Sequence, residues 1–361
     1  MSTKGNKQHG GVSLFIVIFT TLIITIITVS FTQLMVRNQQ QASENDLAQR
    51  AYDSALAGVE DAKRLLVMYQ NCNTGPTNNC SLYKTSIDDQ KCDTIQSSHI
   101  VSTAISNDKE VQVGEEADNQ AYTCVKIDTK SPNFEGFLEK DTSAVIPLIG
   151  KADFTKVRIS WFTAEDSPSP SISRDVNMPL PAQNSPSWGS ATPPIMRAQY
   201  IPQVAPDQLD TEAKTLFLYP LNAGGNLEFA TDLRRDNSKS PSAVGCTSGG
   251  TGGACSVSIK LPAKPASGVA YLQLMALYNK AHFTVELLND TDNVVYFDNV
   301  QPVVDSTGRA ENLFRRVKAR VKLGGIPLSY PDGAINVRGP LCKTFFVTND
   351  PADFKPNGCT P

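Results

Sequence analysis

The chain has 361 residues, with 33 Lys plus Arg against 36 Asp plus Glu for a net charge of −3, and 40% of its residues are hydrophobic. That near-balance leaves no basic face evident in the sequence and no strong case for nucleic acid as a partner. Eight cysteines stand beside only three histidines, and none of the cysteines forms a CxxC pair, so neither metal nor cofactor is expected.

The chain opens on a leader, MSTKGNKQHGG (1–11), that carries Lys4 and Lys7, has no acid and ends in two glycines. Lysines ahead of an apolar run keep the N-terminus cytoplasmic. From Val12 to Val36 there are 25 residues without a charge, about 37 Å as a helix, enough to span about 30 Å of hydrocarbon. All 23 prolines fall at or after Pro76, and Gly58 is the only glycine between Val12 and Thr74, so one helix is expected over 12–70, transmembrane over 12–36. In its first half Thr20, Thr21, Thr25, Thr28, Ser30 and Thr32 can bond back to carbonyls one turn earlier. In its second half Leu47, Ala51, Ala55, Val59, Ala62, Leu66 and Tyr69 recur every three or four residues, with charges on the other faces. Asp46 with Arg50 and Glu60 with Arg64 stand at i,i+4. Ala51, Ala55, Gly58 and Ala62 make this stripe thin, so a sheet could lie close against it. A cleaved secretory signal would have a much shorter apolar region, whereas an uncleaved signal anchor fits the length.

The local pattern GG/VSLFIVIF resembles the class III signal of type IV pilins and pseudopilins, and ENDLAQRAYDSALAGVEDAKRL resembles the amphipathic helix start of PilX-type minor pilins and large tip pseudopilins. The resemblance implies cleavage after Gly11 by a prepilin peptidase, methylation of the new Val12 amine, and transfer of the helix from the cytoplasmic membrane into a filament by a pilus assembly platform. There it would pack against other pilin subunits. Two positions depart from the family pattern. Val12 stands where the first mature residue is usually Phe, and Ile16 where the fifth is usually Glu. The family glutamate contacts the amine of a neighbouring subunit, so Ile16 implies a minor subunit, at the tip or elsewhere, rather than a bulk pilin. No enzymatic activity is expected.

Cys72, Cys80, Cys92, Cys124, Cys246, Cys255, Cys342 and Cys359 all follow the span, on its exported side. An even number there reads as a disulfide set. Loop length favours Cys246–Cys255 across CTSGGTGGAC and Cys342–Cys359; for Cys72, Cys80, Cys92 and Cys124 the local pairs Cys72–Cys80 and Cys92–Cys124 are preferred, with the connectivity left open. Residues 71–163 read as a cysteine-bearing loop, with a short helix or strand near His99–Ser106, followed by a first β region with strands at 120–129, 142–148 and 155–162. The Pro- and Ser-rich stretch 164–195 reads as a linker or long surface loop.

A second β region, 196–361, carries strand patterns at 196–204, 213–221, 269–279, 282–289, 293–303 and 313–323. In the last, Val317, Ala319, Val321 and Leu323 alternate with Arg316, Lys318, Arg320 and Lys322. Asn289–Asn293 forms a polar hairpin turn and lacks the glycine and distal glutamate of a calcium loop. FDNVQPVVDSTGRAENLFRRVKARVKL followed by AINVRGPLCKTFFV resembles the C-terminal sheet of large PilX-like pilins, which implies a turn at Asp305, Ser306, Thr307 and Gly308 and a strand opening at Arg315 and Arg316. No phosphate loop, nucleophile elbow or HExxH helix occurs, and His282 reads as a structural residue in a strand. The fold class expected is α+β: a long N-terminal helix packed on an exported, mainly antiparallel, disulfide-linked β domain. The function expected is that of a pilus subunit exposing its β domain at the cell surface for priming or adhesion; the alternative is an uncleaved, single-pass surface-anchored binding protein.

Overall fold

The structure is a computed structural model, and it describes residues 10–72, 79–102, 110–115, 119–172, 188–203, 212–221, 227–229, 242–247, 253–262 and 269–322. The leader through residue 9, Leu323 and the expected Cys342–Cys359 bridge lie outside the described residues. In chain order the elements are α1 (Gly10–Asn71), α2 (Cys80–Asp88), α3 (Thr94–Ser97), β1 (Val111–Gln112), β2 (Gln120–Ser131), β3 (Phe134–Leu138), β4 (Ser143–Leu148), β5 (Lys156–Trp161) and β6 (Ile195–Pro202). There follow β7 (Lys214–Leu221), β8 (Leu227–Glu228), β9 (Ser242–Gly245), β10 (Cys255–Lys260), β11 (Ala270–Leu277), β12 (Ala281–Leu288), β13 (Val294–Val295), β14 (Phe297–Ala310) and β15 (Leu313–Arg320). The chain divides into two compact units, one of Met1–Lys126 with Asp305–Lys318 and one of Ile127–Val304 with Ala319–Pro361. That grouping differs from the linear division into 71–163, 164–195 and 196–361, because strands from both sequence regions pair with one another.

The first unit is built on α1. Its 62 residues run without a break, as expected of a stretch with no proline and, after Gly11, one glycine. Ala51, Ser54, Ala55, Val59, Ala62, Leu65 and Leu66 are buried at helical spacing, and they face Ala121, Tyr122 and Val125 of β2 and Ser306, Gly308 and Ala310 of β14, all buried as well. The strands belong to a four-stranded sheet in the order β1-β2-β14-β15. Two glycines set the approach. A Cβ on Gly58 would collide with the Ser306 hydroxyl and lie 3.1 Å from the Tyr122 ring, while one on Gly308 would run into the backbone of Ala51 and Ala55 and lie 2.8 Å from the Ser54 carbonyl carbon. The thin stripe expected along the helix is therefore matched by a thin strand.

This corrects the turn expected at Asp305–Gly308. Those residues continue β14, and Gly308 serves close approach rather than a left-handed backbone. The reversal comes at Glu311 and Asn312, where Glu311 takes φ 51. The Asp305 carboxylate accepts from Arg316 Nε at 2.6 Å. The short element expected near His99–Ser106 is absent from the described part of that stretch, 99–102, where His99 has φ 55, and 103–106 lie outside the described residues; the short helix α3 lies just before it.

The second unit is a sandwich of two sheets. One has the order β13-β12-β5-β10-β8, with β3 also on β12; the other has the order β4-β11-β6-β7-β9. Most neighbours are antiparallel, with β8 and β9 added in parallel. The rows Val257–Ile159–Val285 in the first sheet and Ile146–Leu272–Tyr200 in the second follow from the registers, and both enter a single core with Trp161, Met196 and Leu218. Alternation leaves the other face of the first sheet polar, with Arg158 on Glu286 at 3.0 Å and Ser160 on Ser256 at 2.9 Å. The described ends of the Pro- and Ser-rich stretch are tied to this unit: Trp161 Nε1 donates to the Pro194 carbonyl at 3.0 Å, and the Ser171 amide to the Ala191 carbonyl at 2.7 Å.

Candidate functional site: the exposed N-terminal helix

Between Leu14 and Asp46 every side chain of α1 is exposed, and the helix, through its uncharged stretch up to Val36, is long and apolar enough to cross a membrane. Leu14, Phe15, Ile16, Phe19, Ile23, Ile27, Phe31 and Met35 show that this surface is apolar on every side of the helix. Such a surface is stable only against lipid or against other apolar helices. The hydroxyls within it are internally satisfied. Thr20 bonds back to the Ile16 carbonyl, Thr21 to Val17 at 3.0 Å, Thr25 to Leu22 at 2.8 Å, Thr28 to Ile24 at 2.7 Å, Ser30 to Ile26 at 2.8 Å and Thr32 to Thr28 at 2.8 Å. All six expected donors thus leave no free polar hydrogen to an apolar environment. Ile16 is 61% exposed, so the position that departs from the pilin pattern presents an aliphatic surface and no charge. Gly11 and Val12 lie in the first turns of the helix.

Past Val36 the chemistry changes, with Arg37, Glu44 and Asp46 the first charges. Asp46 pairs with Arg50 at 3.0 Å, as the i,i+4 spacing implied. Glu60 pairs with Lys63 rather than Arg64, because i,i+3 and i,i+4 are both neighbours on a helix surface and the nearer lysine takes the carboxylate. Tyr122 of β2 donates its hydroxyl to Asp61 at 2.7 Å. Burial, and then this bond to a carboxylate, push the Tyr122 phenol well above its ordinary value. On the solvent side of the same sheet, the Arg316 guanidinium holds the Asp305 carboxyl below the usual carboxylate range.

Among the described residues, three disulfides cross-link the chain that follows the apolar half of α1. Cys72–Cys80 ties the end of α1 to the start of α2, Cys92–Cys124 ties the α3 segment to β2, and Cys246–Cys255 joins β10 to the residue after β9. These are the local pairs preferred from loop length, and they resolve the connectivity of the four N-terminal cysteines.

The other polar constellation is structural. Buried Asp166 accepts from the Thr163 amide at 2.9 Å and the His282 amide at 2.8 Å, and its other oxygen lies 2.8 Å from His282 Nδ1. His282 thereby pins a turn to β12. Among the described residues no group of three or more His, Cys, Asp or Glu is arranged to hold a metal ion. Sequence reading missed the Tyr122–Asp61 bond and the fit of Gly308 under α1. Small residues at alternate strand positions, Ser306, Gly308 and Ala310, were the available signal for the second. Comparison of the chain with protein-family models, with curated proteins and with solved structures finds no match.

Proposed function

We propose that this protein is a membrane-anchored, pilin-like minor subunit whose helix is first a bilayer anchor and then part of a filament core, displaying the disulfide-linked β units outside the cell for priming or adhesion. The observation that carries this reading is the two-part character of α1: bare and apolar around its whole circumference up to Val36, packed and amphipathic from Ala51 onward. A helix that only anchored a globular domain needs the first part, and a buried core helix needs the second. One unbroken rod with both is suited to exchanging lipid contacts for contacts with like helices, since the two environments are equally apolar. The GG/VSLFIVIF motif adds the removable leader.

In this role Gly11 and Val12 bound the peptide bond that a prepilin peptidase hydrolyses, the assembly platform and neighbouring pilin subunits are the partners, and the chain itself catalyses nothing. Ile16, lacking a carboxylate, cannot form an ion pair with a neighbour's N-terminal amine, which suits a minor subunit. Mass spectrometry of the chain recovered from a host that has the peptidase tests the reading. A mature chain that starts at Val12, with its amine methylated, is the expected result. A chain that keeps its leader supports instead a single-pass, uncleaved surface protein.

A further inference from the structure

Past Val36 the surface of α1 divides into three sectors. Ala51, Ser54, Ala55 and Val59 are buried against β2 and β14. Asp46, Arg50, Asp53, Glu60 and Arg64 recur at steps of three, four or seven residues and so share a second side. The third sector is a row that begins in the apolar half, at Ile16, and proceeds by the same steps through Ile23 and Leu34. It continues through Asn38, Gln41, Asn45 and Gln49 to Tyr52 and Leu56, where it ends because Lys63 comes next on the same line. Its steps average about 3.6 residues, so the row holds one direction along a straight helix for about 60 Å. All of these residues are exposed and none is charged.

The middle of the row consists of amides. The side chains of Asn38, Gln41 and Asn45 make no hydrogen bond among the described residues, and Gln49 donates to Asp53 at 2.9 Å, which leaves its carbonyl. An amide carries both donors and acceptors, so it can pair with an identical copy of itself. Beyond the amides, Tyr52 is 43% and Leu56 36% exposed, large apolar side chains on a part of the helix that lipid does not reach.

We infer that α1 pairs along this row with a second copy of the chain, the two helices parallel and in register in one membrane. The inference rests on the proposed membrane anchoring. Two copies inserted the same way stand parallel and level, and in a two-fold pair each residue on the contact line meets its own counterpart. That condition selects the sector. A pair along the charged side would set Asp46 against Asp46 and Arg50 against Arg50, which repel. The sheet already covers the first sector. Along the row, Ile16, Ile23 and Leu34 meet their like within the bilayer, and the amides beyond Val36 exchange hydrogen bonds. A polar amide on the contact line of parallel helices fixes register and chain number. Here the amides occupy the stretch between the end of the lipid and the start of the sheet contact, where nothing else in the fold covers the helix.

Oxidative cross-linking of the full chain in proteoliposomes of phosphatidylethanolamine and phosphatidylglycerol, at a high lipid-to-protein ratio, tests this. Single added cysteines N38C and N45C lie on the row. S43C, nearly level with Asn45 and about 160° away round the helix, is the control. The six described cysteines are in disulfides, and the wild type supplies the background. The expected result is covalent dimer from N38C and N45C at about fivefold or more over S43C. Adding Q41E and N45D to N38C places like charges on the row and should return its dimer to the S43C level. Equal cross-linking at the three positions, strongest cross-linking at S43C, or an N38C dimer that survives Q41E and N45D overturns the inference. In host membranes, N38C joined chiefly to a chain of different mass overturns a second copy as the occupant. Flotation of the proteoliposomes reads anchoring separately. A chain that does not float with lipid overturns the membrane reading itself, whereas one that floats and yields no N38C dimer overturns the pairing alone.

Discussion

At the scale of single residues, the helix–sheet contact depends on atoms that are absent. Gly308 has no room for a Cβ because what it meets is backbone of Ala51 and Ala55, which cannot rotate away. Gly308→Ala should therefore destabilise the protein by about 1–3 kcal/mol, the usual range for overpacking, with a fall in Tm by calorimetry as the check. Gly58 is more forgiving. The atom in its way is the tip of the Ser306 side chain, and a Gly-to-Ala exchange inside a helix recovers about 1 kcal/mol of propensity, so Gly58→Ala should cost clearly less than Gly308→Ala.

The Asp305–Arg316 pair gives a pH signature. Asp305 has a lowered pKa in the fold, so the unfolded chain, with a carboxyl near 3.9, binds more protons at acid pH. The pair's contribution is thus present above about pH 4 and lost as pH falls through the still lower folded value. Arg316→Gln should lower stability at neutral pH, and its difference from the wild type should shrink below about pH 4 in denaturant titrations. The effect is small, since Arg316 is largely exposed and solvent screens the pair.

At the scale of elements, each disulfide closes a loop of known length. Cys92 and Cys124 are 32 residues apart, Cys72 and Cys80 8 apart, and Cys246 and Cys255 9 apart. Loop-closure entropy puts the first at about 4 kcal/mol and the other two at about 2–3 kcal/mol. Paired Cys-to-Ser exchanges, followed by urea unfolding, should rank Cys92–Cys124 as the costliest. The reverse order would show that strain or residual structure in the unfolded chain outweighs loop entropy.

How much of these elements could be read beforehand follows from the same physics. Helix α1 was legible from end to end because nothing in it breaks a helix. Strands β2, β4, β5, β6, β7, β11 and β12 were legible to within about two residues at most ends, because β-branched and aromatic residues alternate in them. β3 and β10 were not, since FEGFL is short and contains Gly136, and CSVSIK is rich in serine. The Asp305–Gly308 segment was misread for an instructive reason. Asp, Ser, Thr and Gly are turn formers by composition, but here the small residues are used to let a helix lie close against a strand, and that is tertiary information. The bare face of α1 was plain in the sequence, whereas the direction in which β14 runs along it was not, because direction is fixed by which residues meet.

At the scale of the whole molecule, two compact units carry the β sheets and the disulfides, and the first half of α1 carries a bare apolar surface. With −3 net charge and a polar outer sheet face, the sandwich is suited to exposure in water, while the first half of α1 is suited only to a bilayer or to a packed helical core. These solvent requirements conflict in a single soluble molecule. They are reconciled if the apolar half is always covered, first by lipid and then by neighbouring subunits. The measurement that tests this most directly is quantitative mass spectrometry of filaments sheared from the host surface, set beside the membrane fraction of the same cells. The account expects peptides of this chain in the sheared filaments, at low ratio to the main subunit and with an N-terminal peptide beginning at Val12. Finding the chain solely in the membrane fraction, with its leader attached, would contradict it.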